Sequence, residues 1–198
     1  MFYETAVNDH GLPHDPFKAI VAPRPIGWIS TVNAAGRVNL APYSFFNALS
    51  DNPHYVMFSS GGRKDTQRNA EETGEFVCSL ATWDLREQMN RTSAAVPPEV
   101  DEMRLAGLTP APSRLVKPPR VAESPVALEC RYFQTVTLPG RNGRGGYGVV
   151  IGEVVGIHID DAAIVEGRVD ITALKPIARL GYMDYAVVDK VFAIRRPG

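Results

Sequence analysis

Short apolar runs punctuated by glycine, proline and asparagine open the chain. Gly27 to Val32 reads as a strand, Asn33-Ala34-Ala35-Gly36 as a turn and Val38 to Phe46 as a returning strand, so the pattern predicts an opening hairpin. Tyr55 to Ser59 predicts a third strand. After Gly61-Gly62 the pattern turns polar, and Asp65 or Thr66 is placed to cap a short helix that runs through Ala70 and ends near Gly74. Glu75 to Thr82, carrying Phe76, Val77 and Leu80, predicts the next strand.

The middle of the chain changes character. Leu85 to Thr92 and Glu99 to Ala106 have helical composition but are separated by Pro97-Pro98, and the prolines between Pro110 and Pro119 forbid regular structure. Val126 to Leu138 and Tyr147 to Ile159, rich in Val, Ile, Tyr and Phe, predict a long hairpin joined by the glycine-rich turn Gly140 to Gly146. A loop holding Lys175-Pro176 and Arg179-Leu180-Gly181-Tyr182 precedes a last expected strand, Val188 to Arg195. Many strands in hairpin order with few helices between them predict a mainly β fold, an antiparallel barrel rather than a parallel α/β sheet.

Composition narrows the function. With 198 residues, 44% of them hydrophobic, the chain suits one domain spanning 1–198. Lys and Arg number 21 against 22 Asp and Glu, so no broad field favours nucleic acid or an anionic membrane, and any anion site is local. Cys78 and Cys130 each sit in an apolar run, as buried free thiols of a reducing compartment do. Neither a leader pattern at Met1-Phe2-Tyr3 nor an apolar run long enough for a membrane span is present, and the expectation is a soluble, cytoplasmic protein.

Two segments carry candidate chemistry. Ser59-Ser60-Gly61-Gly62-Arg63-Lys64-Asp65-Thr66 brings glycines, cations and hydroxyls to a helix N-terminus, the groups a phosphate dianion needs; a solvated polar turn fits the same residues equally well. If the first two strands pair, Ser30, Thr31, Ser44 and Asn47 come near one another beside aromatic and small apolar residues, as a flat heteroaromatic ring with a polar rim requires. An ordinary half-buried hairpin accounts for that segment too.

The run Arg24-Pro25-Ile26-Gly27-Trp28-Ile29-Ser30-Thr31, the run Ala41-Pro42-Tyr43-Ser44-Phe45-Phe46-Asn47 and the segment Arg63-Lys64-Asp65-Thr66 resemble the flavin reductase-like family of FMN-binding split-barrel proteins. Glu75-Phe76-Val77-Cys78, Ser124 to Cys130 and Ile151-Gly152-Glu153-Val154 agree in the same order, so the resemblance spans nearly the whole chain. It implies a split β-barrel and a homodimer with FMN at the subunit interface. It further implies an oxidoreductase in which NADH or NADPH is the co-substrate and electrons pass to free flavin or a partner oxygenase. An FMN electron carrier, or an FMN-dependent oxidase or oxygenase of a small organic molecule, stands beside that reading. Carried over residue by residue, the resemblance gives Ser59, Ser60, Arg63, Lys64 and Thr66 to the phosphate, and Trp28, Ile29, Ser30, Thr31, Ser44 and Asn47 to the ring and ribityl chain. Arg179 is the candidate stabiliser of the reduced ring, with no acid-base pair required of the protein. Where the family commonly reads Arg-Leu-Gly-Gly over the flavin, this chain has Arg179-Leu180-Gly181-Tyr182, and where it often has a histidine before the Val-Ile-Gly strand this chain has Tyr147-Gly148.

Other signals are set aside. Gly143-Arg144-Gly145-Gly146-Tyr147-Gly148 matches a dinucleotide-binding pattern but leads into a strand pattern, not a helix. The four histidines do not cluster at metal-ligand spacing, so no metal is expected, and Ser30 and Ser44 lack the partners of a nucleophile.

Overall fold

The computed structural model describes residues 1–198, the side chain at position 142 excepted. Strands β1 (Gly27–Val32) and β2 (Val38–Tyr43) pair antiparallel from Gly27 with Tyr43 to Val32 with Val38. The Asn33–Gly36 turn closes them, Asn33 Oδ1 accepting from the amides of Ala35 and Arg37 at 2.9 and 3.0 Å. The expected single strand Val38–Phe46 is broken at Ser44-Phe45. Beyond that corner β3 (Phe46–Asp51) pairs with β4 (His54–Gly61), not with β1.

That corner closes the fold. With β5 (Glu75–Leu80), β6 (Val126–Pro139) and β7 (Gly146–Ile159), the sheet has seven strands in the order β2-β1-β5-β6-β7-β4-β3. Its two edge strands, β2 and β3, are joined by only two residues, so the sheet must curl until its edges meet. Phe45 O accepts from Ser59 N at 2.8 Å, extending the β3-β4 ladder back to the corner, and the Tyr43 and Phe58 rings stand 4.8 Å apart. The result is the antiparallel barrel expected from hairpin order.

One face of the strands gathers Ile29, Val56, Phe58, Phe76, Cys78, Cys130 and Val150 into a core to which helix α1 (Asp65–Thr73) adds Ala70. The opposite face of β1 and β2 sends Trp28 and Leu40 against α2 (Arg86–Arg91) and α3 (Glu102–Leu105), through Met89 and Met103. Strand β1 is therefore buried along its whole length. Both cysteines are buried and free, as expected. Gly74 ends α1 at φ +76, the left-handed conformation that glycine adopts without strain. Its N-cap position falls on Lys64, not on Asp65 or Thr66. Asp65 is instead paired with Arg68, and the Thr66 hydroxyl is taken by Asn39.

Between the helices and β6, residues 110–119 are irregular apart from a two-residue bridge of Pro110–Ala111 with Arg120–Val121. The buried Glu129 carboxylate holds this segment, accepting from the amides of Arg114 and Leu115 at 2.7 and 2.6 Å and from His158. The glycine-rich stretch before β7 is a hairpin connection and opens no helix.

The C-terminal expectation fails. Instead of a strand at Val188–Arg195, strands β8 (Ile177–Arg179) and β9 (Tyr185–Val187) pair with each other, and β8 pairs with Arg24-Pro25. Residues 188–198 are irregular and Val191, Phe192 and Ile194 are exposed. After β9 the Val188 amide still donates to Pro176 O, but beyond it the apolar residues find no strand to pair with among the described residues. No helix among the described residues is long and apolar enough to cross a membrane.

Candidate functional site

A cleft of about 720 Å³ opens where the end of β4, the start of α1 and the β2-β3 corner meet. Its size is that of small-molecule and cofactor sites. Its lining combines Ser59, Gly61, Lys64, Asp65 and Thr66 with Ala41, Pro42, Tyr43, Phe45 and Tyr147. Residues 92–96 and Glu102 complete the wall.

A turn carries the polar residues of the lining. Gly62 takes φ +76, and Ser60, fully buried, donates to Gly62 O at 2.9 Å and fixes the bend. Helix α1 then begins with no side chain capping its first amides. Such a helix start presents N–H donors and a partial positive charge to an anion. Thr66 is buried and held by Asn39 Nδ2 at 2.9 Å; Asn39 and Asn69 both donate to Thr31, at 3.4 and 3.1 Å. Burial pushes the Tyr43 phenol up, against hydrogen bonds with Thr66 and Ser60. Burial likewise raises the Glu102 carboxyl, with Asp101 and Asp65 adding like charge and the amides of Glu102 and Leu40 offsetting part of the effect.

The Phe45 and Tyr147 rings of the lining stand 5.8 Å apart, and Tyr147 lies over Gly61, where an added Cβ would come within 3.3 Å of the ring. The next residue, Gly148, lets β7 lie close to α1, because a Cβ there would meet Gln67 at 2.3 Å. The Tyr147-Gly148 pair thus has a packing reason of its own.

The structure divides the sequence-predicted residues. Ser44, Ser59, Lys64 and Thr66 line the cleft. Trp28, Ile29, Ser30 and Thr31 have buried side chains committed to the interior. Trp28 Nε1 donates to the cleft residue Thr92 at 2.9 Å, Ile29 joins the barrel core, Ser30 donates to Pro119 O at 2.5 Å and Thr31 anchors the two asparagines. Asn47 is exposed on β3, its Oδ1 accepting from the amide of Ala48 at 2.9 Å. The expected cluster of Ser30, Thr31, Ser44 and Asn47 does not form, because the corner after Tyr43 carries the chain to the other edge of the sheet. Arg63 points away from the cleft wall, its side chain 55% exposed and paired with Glu71 at 2.8 Å and Glu72 at 3.8 Å.

Arg179 ends β8, and Tyr182 lies on the turn joining β8 to β9. Arg179 donates to Tyr185 Oη at 2.6 Å and to Tyr182 O, and stacks 4.5 Å from the Tyr185 ring centre. Tyr182 sits at φ +55, a conformation that suits glycine and strains a bulky residue. Its ring is half exposed and packs 5.6 Å from His14.

Asn39, Tyr43, Glu102 and Tyr147 belong to the cleft and were not read from the sequence as site residues. Tyr43 and Asn39 lie in the run that suggested the ring site, so position gave a signal for them. Glu102 gave none.

A model of the flavin reductase like domain matches residues 21–182. The chain belongs to the flavin reductase-like domain family. An uncharacterized protein of Halalkalibacterium halodurans is 37% identical over 182 residues, covering 89% of this chain and 87% of the relative. The crystal structure of nitrilotriacetate monooxygenase component B from Bacillus cereus is 32% identical, covers 98% of each chain and has a TM-score of 0.90. A split-barrel-domain protein of Shewanella frigidimarina, 24% identical with a TM-score of 0.83 over 98% of this chain and 94% of its own, shares the fold. The barrel of this family member is therefore a split barrel of the FMN-binding type.

Proposed function

We propose that this chain binds FMN in the cleft and acts as an NAD(P)H-dependent flavin reductase, passing electrons to free flavin or to a partner oxygenase. The observation that carries the reading is the pairing, in one cavity, of an uncapped helix start beside Ser59, Lys64 and Thr66 with an aromatic wall of Tyr43, Phe45 and Tyr147. The uncapped helix start with its cation and hydroxyls suits a terminal phosphate and the aromatic residues suit a flat ring, so the residues present fit the cofactor. The likeness to a monooxygenase component B supports an oxygenase as recipient of the electrons.

Bound FMN supplies hydride acceptance at N5 and delivery of electrons to a second acceptor. The chain's residues bind and position. Lys64 and the first amides of α1 compensate the phosphate charge, Thr66 is aimed by Asn39, and Trp28 backs the wall through Thr92. The half-exposed aromatic Tyr182 and the neighbouring Arg179 stand outside the cleft of their own protomer, which supports a homodimer whose second copy completes the site. Tyr182 also favours a second reading: a bulky ring where the family carries glycine restricts access, as an FMN electron carrier with slow nicotinamide turnover would require.

Anaerobic mixing of FMN-loaded protein with NADH or NADPH tests the proposal. The expected result is rapid bleaching of flavin absorbance with one nicotinamide. Absence of bleaching over minutes with both overturns the reductase and leaves the carrier or an FMN-dependent oxidase, and failure to retain FMN after reconstitution overturns the cofactor assignment.

A further inference from the structure

Glu102 is a buried carboxyl in the wall of a cleft whose opposite residues suit an anion. Only 8% exposed, it accepts from the amide of Leu40 at 3.1 Å and so pairs a free N–H on the edge strand β2. The carboxyl borders both the main cleft and a water-sized polar cavity of about 10 Å³ behind it. An ionised carboxylate beside a phosphate would oppose the charge that Lys64 and the α1 amides supply.

We propose that Glu102 binds the phosphate of the mononucleotide as a neutral carboxylic acid, donating a hydrogen bond to a phosphate oxygen, so that binding takes up a proton from solvent. The inference rests on the reading of the cleft as an FMN site. Asp65 on α1 and Asp101 on α3 are the like charges that discourage its ionisation. Asp65 is partly neutralised by Arg68, and Asp101 is paired with the exposed Arg104 guanidinium at 3.5 Å while accepting from the amides of Met103 and Arg104 at 3.0 and 3.2 Å. Arg37 and Arg68 border the small cavity, while Lys18 and Lys64 lie on the cleft wall, where a phosphate can use them. An acid shielded from water by α3 and flanked by two aspartates costs less to protonate than to ionise next to a phosphate. Protonation also leaves the Leu40 amide its acceptor, so the strand edge remains paired in both states.

Titration calorimetry of FMN and of riboflavin, in pairs of buffers with different ionisation enthalpies between about pH 5 and 8, measures the proton uptake. Wild type is expected to take up as much as one proton more with FMN in the upper part of that range than Glu102→Gln, which mimics the neutral acid and shows only the titration of the phosphate itself. FMN affinity of wild type should fall towards roughly tenfold per pH unit more steeply than that of the variant, and riboflavin should show no uptake in either. Equal uptake for wild type and Glu102→Gln, or the same excess with riboflavin, overturns the inference while the FMN site stands. Should the variant fail to fold, the FMN and riboflavin difference in wild type decides alone: no excess uptake with FMN beyond that of the free phosphate overturns it. Absence of FMN binding at every pH overturns the reading of the cleft and this inference with it.

Discussion

Two buried glutamates show how the same residue type takes opposite characters in one fold. Glu129, in the middle of β6, accepts from two amides and a histidine; these hydrogen bonds outweigh the burial that opposes its charge and hold its pKa below the ordinary 4.5. Glu102, on the short helix beside the cleft, has burial and two aspartates against it, and its pKa moves the other way. The difference lies in donors, since both side chains are nearly out of water. A satisfied carboxylate serves the fold, whereas one kept short of donors beside an anion-suited turn is available to a ligand.

The largest effect expected to sharpen this contrast is on stability. Glu129→Ala leaves the amides of Arg114 and Leu115 and the His158 ring without their acceptor, and should cost about 3–5 kcal/mol in denaturant unfolding. Acid should act in the same direction on wild type. A carboxylate with a depressed folded pKa contributes stability above its unfolded value and loses it as pH falls through the folded one, so this contribution fades below about pH 4.5. A Glu129→Gln variant as stable as wild type at pH 7 would break the contrast.

Next in size is the loss of the cation at the cleft. Lys64→Ala should weaken FMN by roughly tenfold to a hundredfold, the range of charge-assisted hydrogen bonds, and hardly change riboflavin binding in fluorescence titrations. Equal losses for both ligands would place Lys64 with the structural groups.

Smaller still is the stability change at Glu102. A carboxyl with a raised folded pKa is most stabilising below its unfolded value and becomes a burden as pH rises through the folded one. Glu102→Gln should therefore leave stability unchanged or raise it by up to about 1 kcal/mol at pH 7 to 8. A loss as large as that of Glu129→Ala would show that Glu102 is structural as well.

The smallest change concerns Arg63, which the sequence placed beside Lys64 and the structure pairs with Glu71 and Glu72. Arg63→Ala should alter FMN affinity by no more than about two- to fivefold, as expected of an exposed ion pair away from the ligand. A loss matching that of Lys64→Ala would bring the guanidinium back to the phosphate.

Local pattern alone determined much of this protein. The Asn33–Gly36 turn, the helix ending at Gly74, the long hairpin of β6 and β7 and the glycine-containing turn before α1 all follow from spacing and from residues with particular backbone preferences, and each is where the pattern put it. That Ser59, Lys64 and Thr66 come together, as they do along one cleft, was legible because one short stretch of chain carries them all. Strand β1 was not. A polar residue on a strand reads the same whether it faces a ligand or a buried partner, and only the layers on both sides of β1 gave Ser30 to Pro119 O and Thr31 to Asn39 and Asn69. Val188 to Arg195 has a strand's composition, but a strand needs a neighbour to pair with, and which neighbours lie within reach is a property of the whole fold. The two-residue corner at Ser44-Phe45 curls the sheet, and Glu102, Asn39 and Thr66 come from distant parts of the chain to one cleft. Contacts so far apart in sequence leave no periodicity behind, so the tertiary structure alone decided which carboxyl faces the cleft.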